Sequence, residues 1–308
     1  MGVVNNMDLD NIVMIPSKSR FDLEVEKWGT IDAARKRFVG EIWEKVVGSH
    51  HTQRTNIQKI AKRLGNRLMY DRSQLTPEMV GNFSAFAFLG GDDHFKYCAH
   101  VILKYMQEHP DEEKYVIGVR LSPRSVGALL HFDTDTFLES LPKLEKDDFS
   151  VENWTTLEAR VLNGESAVVL YPAIGDYFVG EYGRLFMSRN EVYLDGQKVF
   201  PDKSSGILLA VGAGSDEGSW YDNIHRTMFG NGNEFGREEE IARAILTEEK
   251  SKSKLTLNKG QTLEIYSYND SRGIVCPDSC EDHSADFGMG SKAEIKVSDL
   301  KLKVIRAN

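Results

Sequence analysis

The sequence predicts an N-terminal α/β domain built on a parallel sheet, followed by a C-terminal β-rich domain. Three observations predict it. Up to about residue 145, short apolar runs alternate with stretches of helical periodicity, the pattern of strands joined by helices on the faces of a parallel sheet. From 146 to 290 the apolar runs are short, and turn dipeptides separate several of them. The 308 residues suffice for two separate cores. The expected segments are therefore 1–145, 146–290 and a closing stretch, 291–308.

In the first part, residues 11–16 (NIVMIP) read as a buried strand. Residues 31–47 place apolar side chains at helical spacing behind a possible cap, Thr30, and 55–64 form a second amphipathic helix ending at Gly65. The run 83–89 (FSAFAFL) is too short for a typical helix and stops at a glycine pair, so it reads as a buried strand. A helix over 95–107, a strand over 115–121 and a helix over 135–144 complete the alternation.

In the second part, strands are expected at 154–162, 167–170, 177–179, 184–194, 206–211 and 262–268. Asn163-Gly164, Asp195-Gly196 and Asn269-Asp270 supply turns. One charged helix is expected at about 234–249, preceded by a Gly, Asn and Asp-rich loop or irregular helix over 216–236. Residues 249–254 read as a solvated linker, and 293–305 alternate like an edge strand pair.

Composition narrows the function. Net charge is -9 and the pI about 5.5, which argues against a protein that grips a nucleic-acid backbone. A small anionic substrate needs only a local cluster of donors. Residues 1–8 lack the basic and apolar regions of a signal peptide, and Gly2 with Asn6 lacks a myristoylation pattern. No apolar run approaches the roughly 20 residues of a membrane span. Three cysteines, Cys98, Cys276 and Cys280, fit a reducing compartment, so the expected location is the cytoplasm.

Four places could carry chemistry. Gly90-Gly91-Asp92-Asp93 joins a buried strand to a helix, where open α/β sheets bind ligands. Glycines there let a phosphate or ribose approach, the helix offers free amides, and a carboxylate can take a hydroxyl proton or hold a cation. A plain turn with Asp as the cap gives the same pattern. His94 adjoins this turn. Ser204-Ser205-Gly206, an apolar strand and Gly212-Ala213-Gly214-Ser215 form a second candidate, equally readable as two turns. Gly175-Asp176 sets an acid before an apolar strand, where it could meet a ribose hydroxyl or simply turn the chain. Cys276-x3-Cys280-x2-His283 offers only three soft ligands with no second cluster nearby in sequence, so no metal residues are assigned there.

In this order, the pieces resemble the NAD kinase family, within the superfamily that also holds diacylglycerol and sphingosine kinases, and most closely its divergent branch with mitochondrial NAD kinase and bacterial relatives. The likeness runs from Ile12 to Ile305. The family's Gly-Gly-Asp-Gly reads here Gly90-Gly91-Asp92-Asp93, and its proposed base falls on Asp92. A strand ending in a Gly-Val-Asn-like turn falls on Gly118-Val119-Arg120-Leu121-Ser122-Pro123. The Asn-Glu pair falls on Gly175-Asp176, and the Ser-Asp/Ser-Gly strand leading to Thr-Gly-Ser-Thr falls on Ser204-Ser205-Gly206 and Ala213-Gly214-Ser215-Asp216. Pro277-Asp278-Ser279 answers to a late Asp-Gly turn.

The resemblance implies a β-sandwich-like second domain, with the chain end returning to the first domain. It implies transfer of phosphate from ATP or polyphosphate to the 2′-hydroxyl of the adenosine ribose of NAD, with Mg²⁺ accompanying ATP. Asp92 would be the catalytic residue. Gly90, Gly91, Asp93, His94, Gly175, Asp176, Ser205, Gly206, Ala213, Gly214 and Ser215 would bind nucleotide. By nearness in sequence, not by the resemblance, Lys96 or Arg120 and Arg124 could offset the donor phosphates, and the adjacent carboxylates of Asp92 and Asp93 could share a metal. The expected partners are small nucleotides, not nucleic acid or membrane, with assembly as a homodimer or homotetramer. Two readings compete: a non-catalytic dinucleotide-binding homologue, and a kinase of the same superfamily acting on a lipid or nucleoside hydroxyl.

Overall fold

The computed structural model describes residues 11–64, 68–123, 125–146, 148–183, 186–247 and 253–307. Residues 1–8, Gly65, Arg124, Arg184 and most of the 249–254 stretch, on which the sequence reading also draws, lie outside them. The chain divides into two compact units: 1–98, 113–151 and 304–308 form the first, 99–112 and 152–303 the second.

In the first unit β1 (Ile12–Pro16) is buried along most of its length, as an apolar run covered on both faces should be. Ser19 caps α1 (Arg20–Trp28) through a reciprocal pair of bonds with Asp22. Thr30 caps α2 (Ile31–Arg35). The single helix expected over 31–47 is broken, because the chain turns at 36–41, where Gly40 takes φ +60°. α3 (Ile42–Leu64) then runs 23 residues and absorbs the helix expected at 55–64. α4 (Pro77–Gly81) begins at its proline behind the cap Thr76. β2 (Ala85–Gly90) is buried at every position. It leads into α5 (Asp92–Glu108), whose residues from Ala99 onward belong to the second unit. β3 (Tyr115–Arg120), β4 (Phe132–Asp133) and α6 (Thr134–Leu144) follow.

β2 lies between β1 and β3, parallel to both, and β4 pairs parallel with β3. The core joins Met14, Leu89 and Val119 from the sheet to Ile60 of α3 and Phe137 and Leu141 of α6. Ile305, from the end of the chain, packs in the same core.

The second unit is built from antiparallel strands. β5 (Phe149–Asn163), β6 (Ser166–Val169), β7 (Asp176–Glu181), β8 (Ser188–Leu194), β9 (Gln197–Lys198), β10 (Lys203–Ser204) and β11 (Ile207–Ala210) come first. At the β8–β9 turn, Asp195 and Gly196 both take positive φ, the conformation that a two-residue hairpin needs. After β11 the stretch expected to be irregular contains α7 (Trp220–Phe229), capped by Ser219 and closed by Gly230 at φ +83°. The helix expected at 234–249 is not formed. Residues 241–246 are instead β12 (Ile241–Leu246), paired with β11 on one side and β13 (Lys254–Asn258) on the other. Arg, Ala and Leu favour helix locally, but two flanking strands and an alternating burial pattern override so weak a preference. β14 (Thr262–Ser267), β15 (Gly273–Pro277), β16 (Ala285–Asp286) and β17 (Lys292–Ala307) complete the chain. The expected edge pair over 293–305 is thus one strand of 16 residues, flanked by neighbours.

One sheet of this unit has the order β13-β12-β11-β7-β15-β16. Alternation divides its side chains between two cores. Tyr177, Val179, Ile207, Leu209, Ala242, Ala244 and Val275 face the strands β5, β8, β14 and β17, as in a sandwich. Phe178, Leu208, Ala210, Ile245 and Cys276 face the other way and pack with Tyr221 and Trp220 of α7. No helix among the described residues is long and apolar enough to cross a membrane.

Candidate active site

In the first unit β1, β2 and β3 run parallel, so their carboxyl ends open on one side, the usual ligand crevice of such sheets. The Gly90-Gly91 turn sits there because little else fits. A Cβ on Gly90 would lie 2.8 Å from Ser17 Oγ, and one on Gly91 2.8 Å from Ser125 Oγ. The Gly91 carbonyl accepts the first helical bond, from Phe95 N at 3.0 Å. Asp92 therefore opens α5, where the helix N-terminus favours negative charge. Its Oδ1 accepts from Leu129 N at 3.0 Å and its Oδ2 from Ala128 N at 3.2 Å. A carboxylate offers about four acceptor positions, so two remain for a substrate hydroxyl or a hydrated cation.

A cavity of about 710 Å³ adjoins the turn, within the range of small-molecule sites. Lys18, Asp71, Arg72, Asp92, Asp93 and Ser125 are among its lining residues. The Arg72 guanidinium lies over the Tyr97 ring at 4.2 Å, which holds a cation at the wall. The backbone amide of Ser73 holds the Asp71 carboxyl below its ordinary range, so Asp71 is anionic at neutral pH. Asp93 is exposed. Lys96, half-buried and one turn into α5, does not line this cavity, and Arg124 lies outside the described residues.

His94 is turned into the protein. It is 6% exposed, and its Nε2–H donates to the Ile15 carbonyl at 2.8 Å. Burial lowers its pKa from 6.5 to about 4. Between those values an unfolded chain binds a proton that the folded one rejects, so stability rises with pH across the window. The expected loss on acidification from pH 7 to 4 is about 3 kcal/mol from this group, with nothing further below pH 4. Urea midpoints of the native protein and His94→Gln across that range check it: the variant should lack this share of the slope.

The second unit brings another set together. Val211 N donates to Gly175 O at 2.9 Å, and a Cβ on Gly214 would stand 2.1 Å from that same oxygen. Gly175, Asp176, Ala213, Gly214 and Ser215 thus meet where β7 begins and β11 ends. Ser215 is buried, donating to Gly212 O at 2.8 Å and accepting from Phe235 N at 3.1 Å. Ser205 and Gly206 lie at the opposite end of β11, about 13 Å away at strand rise, with Gly206 at φ +129° against the Phe178 ring. The two halves of the second sequence candidate are therefore not one site.

Asp278 organises the first of these ends, a role that the sequence does not reveal. Its Oδ1 accepts from Gly175 N at 2.8 Å and Asp176 N at 3.1 Å, and its Oδ2 from Ile174 N at 2.8 Å. His100 Nε2, 2.7 Å from Oδ2, completes the shell. His100 stands 178 residues from Asp278, beyond the reach of any local motif.

No family model matches the chain. Over 146 residues, 47% of this chain and 46% of the other, it is 23% identical to a NAD kinase of Lachnospira eligens. Over 127 residues, 41% and 40% of the two chains, it is 27% identical to a NAD kinase of Sodalis glossinidius. The chain spans less than half the length of these curated relatives. The NAD kinase from Archaeoglobus fulgidus in complex with ATP superposes with a TM-score of 0.62 at 16% identity, over 95% of this chain and 92% of that one.

The chain is thus similar in sequence to curated NAD kinases and in fold to a solved one. Yeast NADH kinase complexed with NADH shares the NAD kinase fold too, with a TM-score of 0.62 at 15% identity over 78% of this chain and 66% of the other. The mixed first unit and the antiparallel second unit are the two parts of that NAD kinase architecture.

Proposed function

We propose that this chain is a NAD kinase-type phosphotransferase, moving the terminal phosphoryl group of ATP or polyphosphate to the 2′-hydroxyl of the adenosine ribose of NAD or NADH. The observation that carries the proposal is the Asp92 carboxylate, fixed by two amides at the carboxyl end of the central strand and beside a cavity of about 710 Å³. In the reaction the 2′-oxygen bonds to the terminal phosphorus, the bond from that phosphorus to the bridging oxygen breaks, and ADP leaves, or, from polyphosphate, a chain one phosphate shorter. Asp92 accepts the hydroxyl proton. Most of the acceleration comes from positioning and charge. Gly90 and Gly91 let the substrate approach the backbone, and Lys18 and Arg72 offset phosphate charge. Gly175, Asp176, Ala213, Gly214 and Ser215 are the proposed nucleotide-binding group of the second unit.

The carboxylates of Asp71, Asp92 and Asp93 are hard oxygen donors around one cavity, a set that fits Mg²⁺. Asp93 and Asp71 would hold it through its waters. When bound with ATP, it would neutralise charge on the phosphate oxygens.

A panel of acceptors offered with γ-labelled ATP tests the assignment. Label should appear in NADP or NADPH. Label in diacylglycerol or a nucleoside alone would move the activity to another branch of the superfamily. Calorimetric NAD binding without transfer from either donor would make the chain a dinucleotide-binding homologue.

A further inference from the structure

Cys280 and His283 flank a single 3₁₀ turn, Glu281–His283, with Cys280 as its first cap. Residues three apart in such a turn lie one above the other, so thiol and imidazole share a side. The turn is fixed from behind. Cys280 N donates to Pro277 O at 2.8 Å and His283 N to Cys280 O at 3.0 Å, while Asp278 and Ser279 take φ +50° and +59°. His100 meets this turn from α5, its Nδ1 2.8 Å from His283 Nδ1. The donor atoms of His100, Cys280 and His283 all lie within 4.8 Å of one another.

The surroundings orient the rings. Asp278 Oδ2 accepts the Nε2–H of His100, which in the neutral ring leaves the Nδ1 lone pair directed at the shared centre. A carboxylate behind an imidazole in this way is the usual support of a metal-binding histidine. The Tyr171 ring stacks on His283 at 4.0 Å, fixing its plane. His100 is fully buried and His283 nearly so, whereas Cys280 is partly exposed and gives an ion a way in.

We propose that His100, Cys280 and His283 bind one zinc-type divalent ion, with Asp278 as the positioning residue behind His100. Two imidazoles and a thiolate match the borderline softness of zinc, and three protein ligands leave a fourth tetrahedral position for water. Two zinc-bound nitrogens stand roughly 3.3 Å apart, so the pair opens by about half an ångström on binding. On binding, Cys280 releases its thiol proton to solvent, and the proton that His283 Nδ1 donates to His100 moves to His283 Nε2, so both rings bind as neutral ligands through Nδ1. The ion joins the 278–283 turn to α5 within the second unit. Through Asp278 it also steadies the amides of Ile174, Gly175 and Asp176. The site stands whether or not the chain is a kinase.

The test is titration of the full chain, stripped by chelator under a phosphine reductant, with Co²⁺ and then Zn²⁺. The expected result is one Co²⁺ per chain, strong four-coordinate visible bands, a thiolate-to-cobalt charge-transfer band, and displacement of all of these by Zn²⁺. Cys280→Ser should lose the charge-transfer band and stoichiometric binding, while Cys276→Ala keeps both. His283→Gln, read by metal content alone, tests the site if Cys280→Ser does not fold. Absence of stoichiometric cobalt in the native chain, a band that survives Cys280→Ser, or full metal content in His283→Gln would overturn the proposal and leave a histidine–histidine hydrogen bond.

Discussion

Asp92→Asn should lower kcat for NAD phosphorylation by about 10²- to 10⁴-fold, the usual contribution of a positioned general base, while KM for NAD moves little. The size follows from the geometry. Asp92 is tied at both oxygens by Leu129 and Ala128 amides, so it keeps its place without substrate and meets the hydroxyl pre-oriented. The asparagine retains one acceptor oxygen and sets an NH₂ against the second amide. It therefore loses the negative charge, one bond, and the ability to take a proton. The substitution is confined to a partly exposed position, so the fold should hold to within about 1–2 kcal/mol. Steady-state kinetics alongside a urea midpoint separate the two effects. An unchanged kcat in folded Asp92→Asn would remove Asp92 from the reaction.

Asp278→Ala should strongly destabilise the second unit, costing about 3–5 kcal/mol. The Asp278 and His100 side chains are fully buried, and the carboxylate serves three amides and an imidazole. Truncation leaves four donors facing a hole. Each orphaned donor costs roughly 1–3 kcal/mol, reduced where water enters. Native stability is commonly about 5–15 kcal/mol, so the second unit loses a large share of its margin. At roughly 2–4 °C per kcal/mol for a unit of this size, its thermal transition should fall by about 10–15 °C. Asp278→Asn, which keeps one oxygen for the amides, should fall between. A drop under about 2 °C in Asp278→Ala, measured calorimetrically, would contradict the role given to this side chain.

The parallel sheet was legible because its signals are local. Residues 83–89 are apolar throughout and stop at two glycines, and the structure turns an all-buried β2 into α5 there. The β character after residue 150 was legible for the same reason, since the Asp195-Gly196 turn and the short apolar runs of β7 and β11 are short-range patterns. Misreadings occurred where distant partners decide. Residues 241–246 look helical alone, and only β11 and β13 on either side make them a strand. Nothing near 293–305 reveals that both sides of that strand are occupied. Ser205-Gly206 and Ala213-Gly214 are close in sequence, yet the extended strand between them holds them apart. Cys280 and His283 look incomplete as ligands because His100 lies 183 residues from His283.

The most direct test of the central claim is an enzyme-coupled assay of NADP formation by the purified chain with NAD and Mg²⁺, run once with ATP and once with polyphosphate. NADP should accumulate only with a phosphate donor present, at a rate that falls by at least roughly a hundredfold in Asp92→Asn. No NADP with either donor, from folded protein that binds NAD, would contradict it.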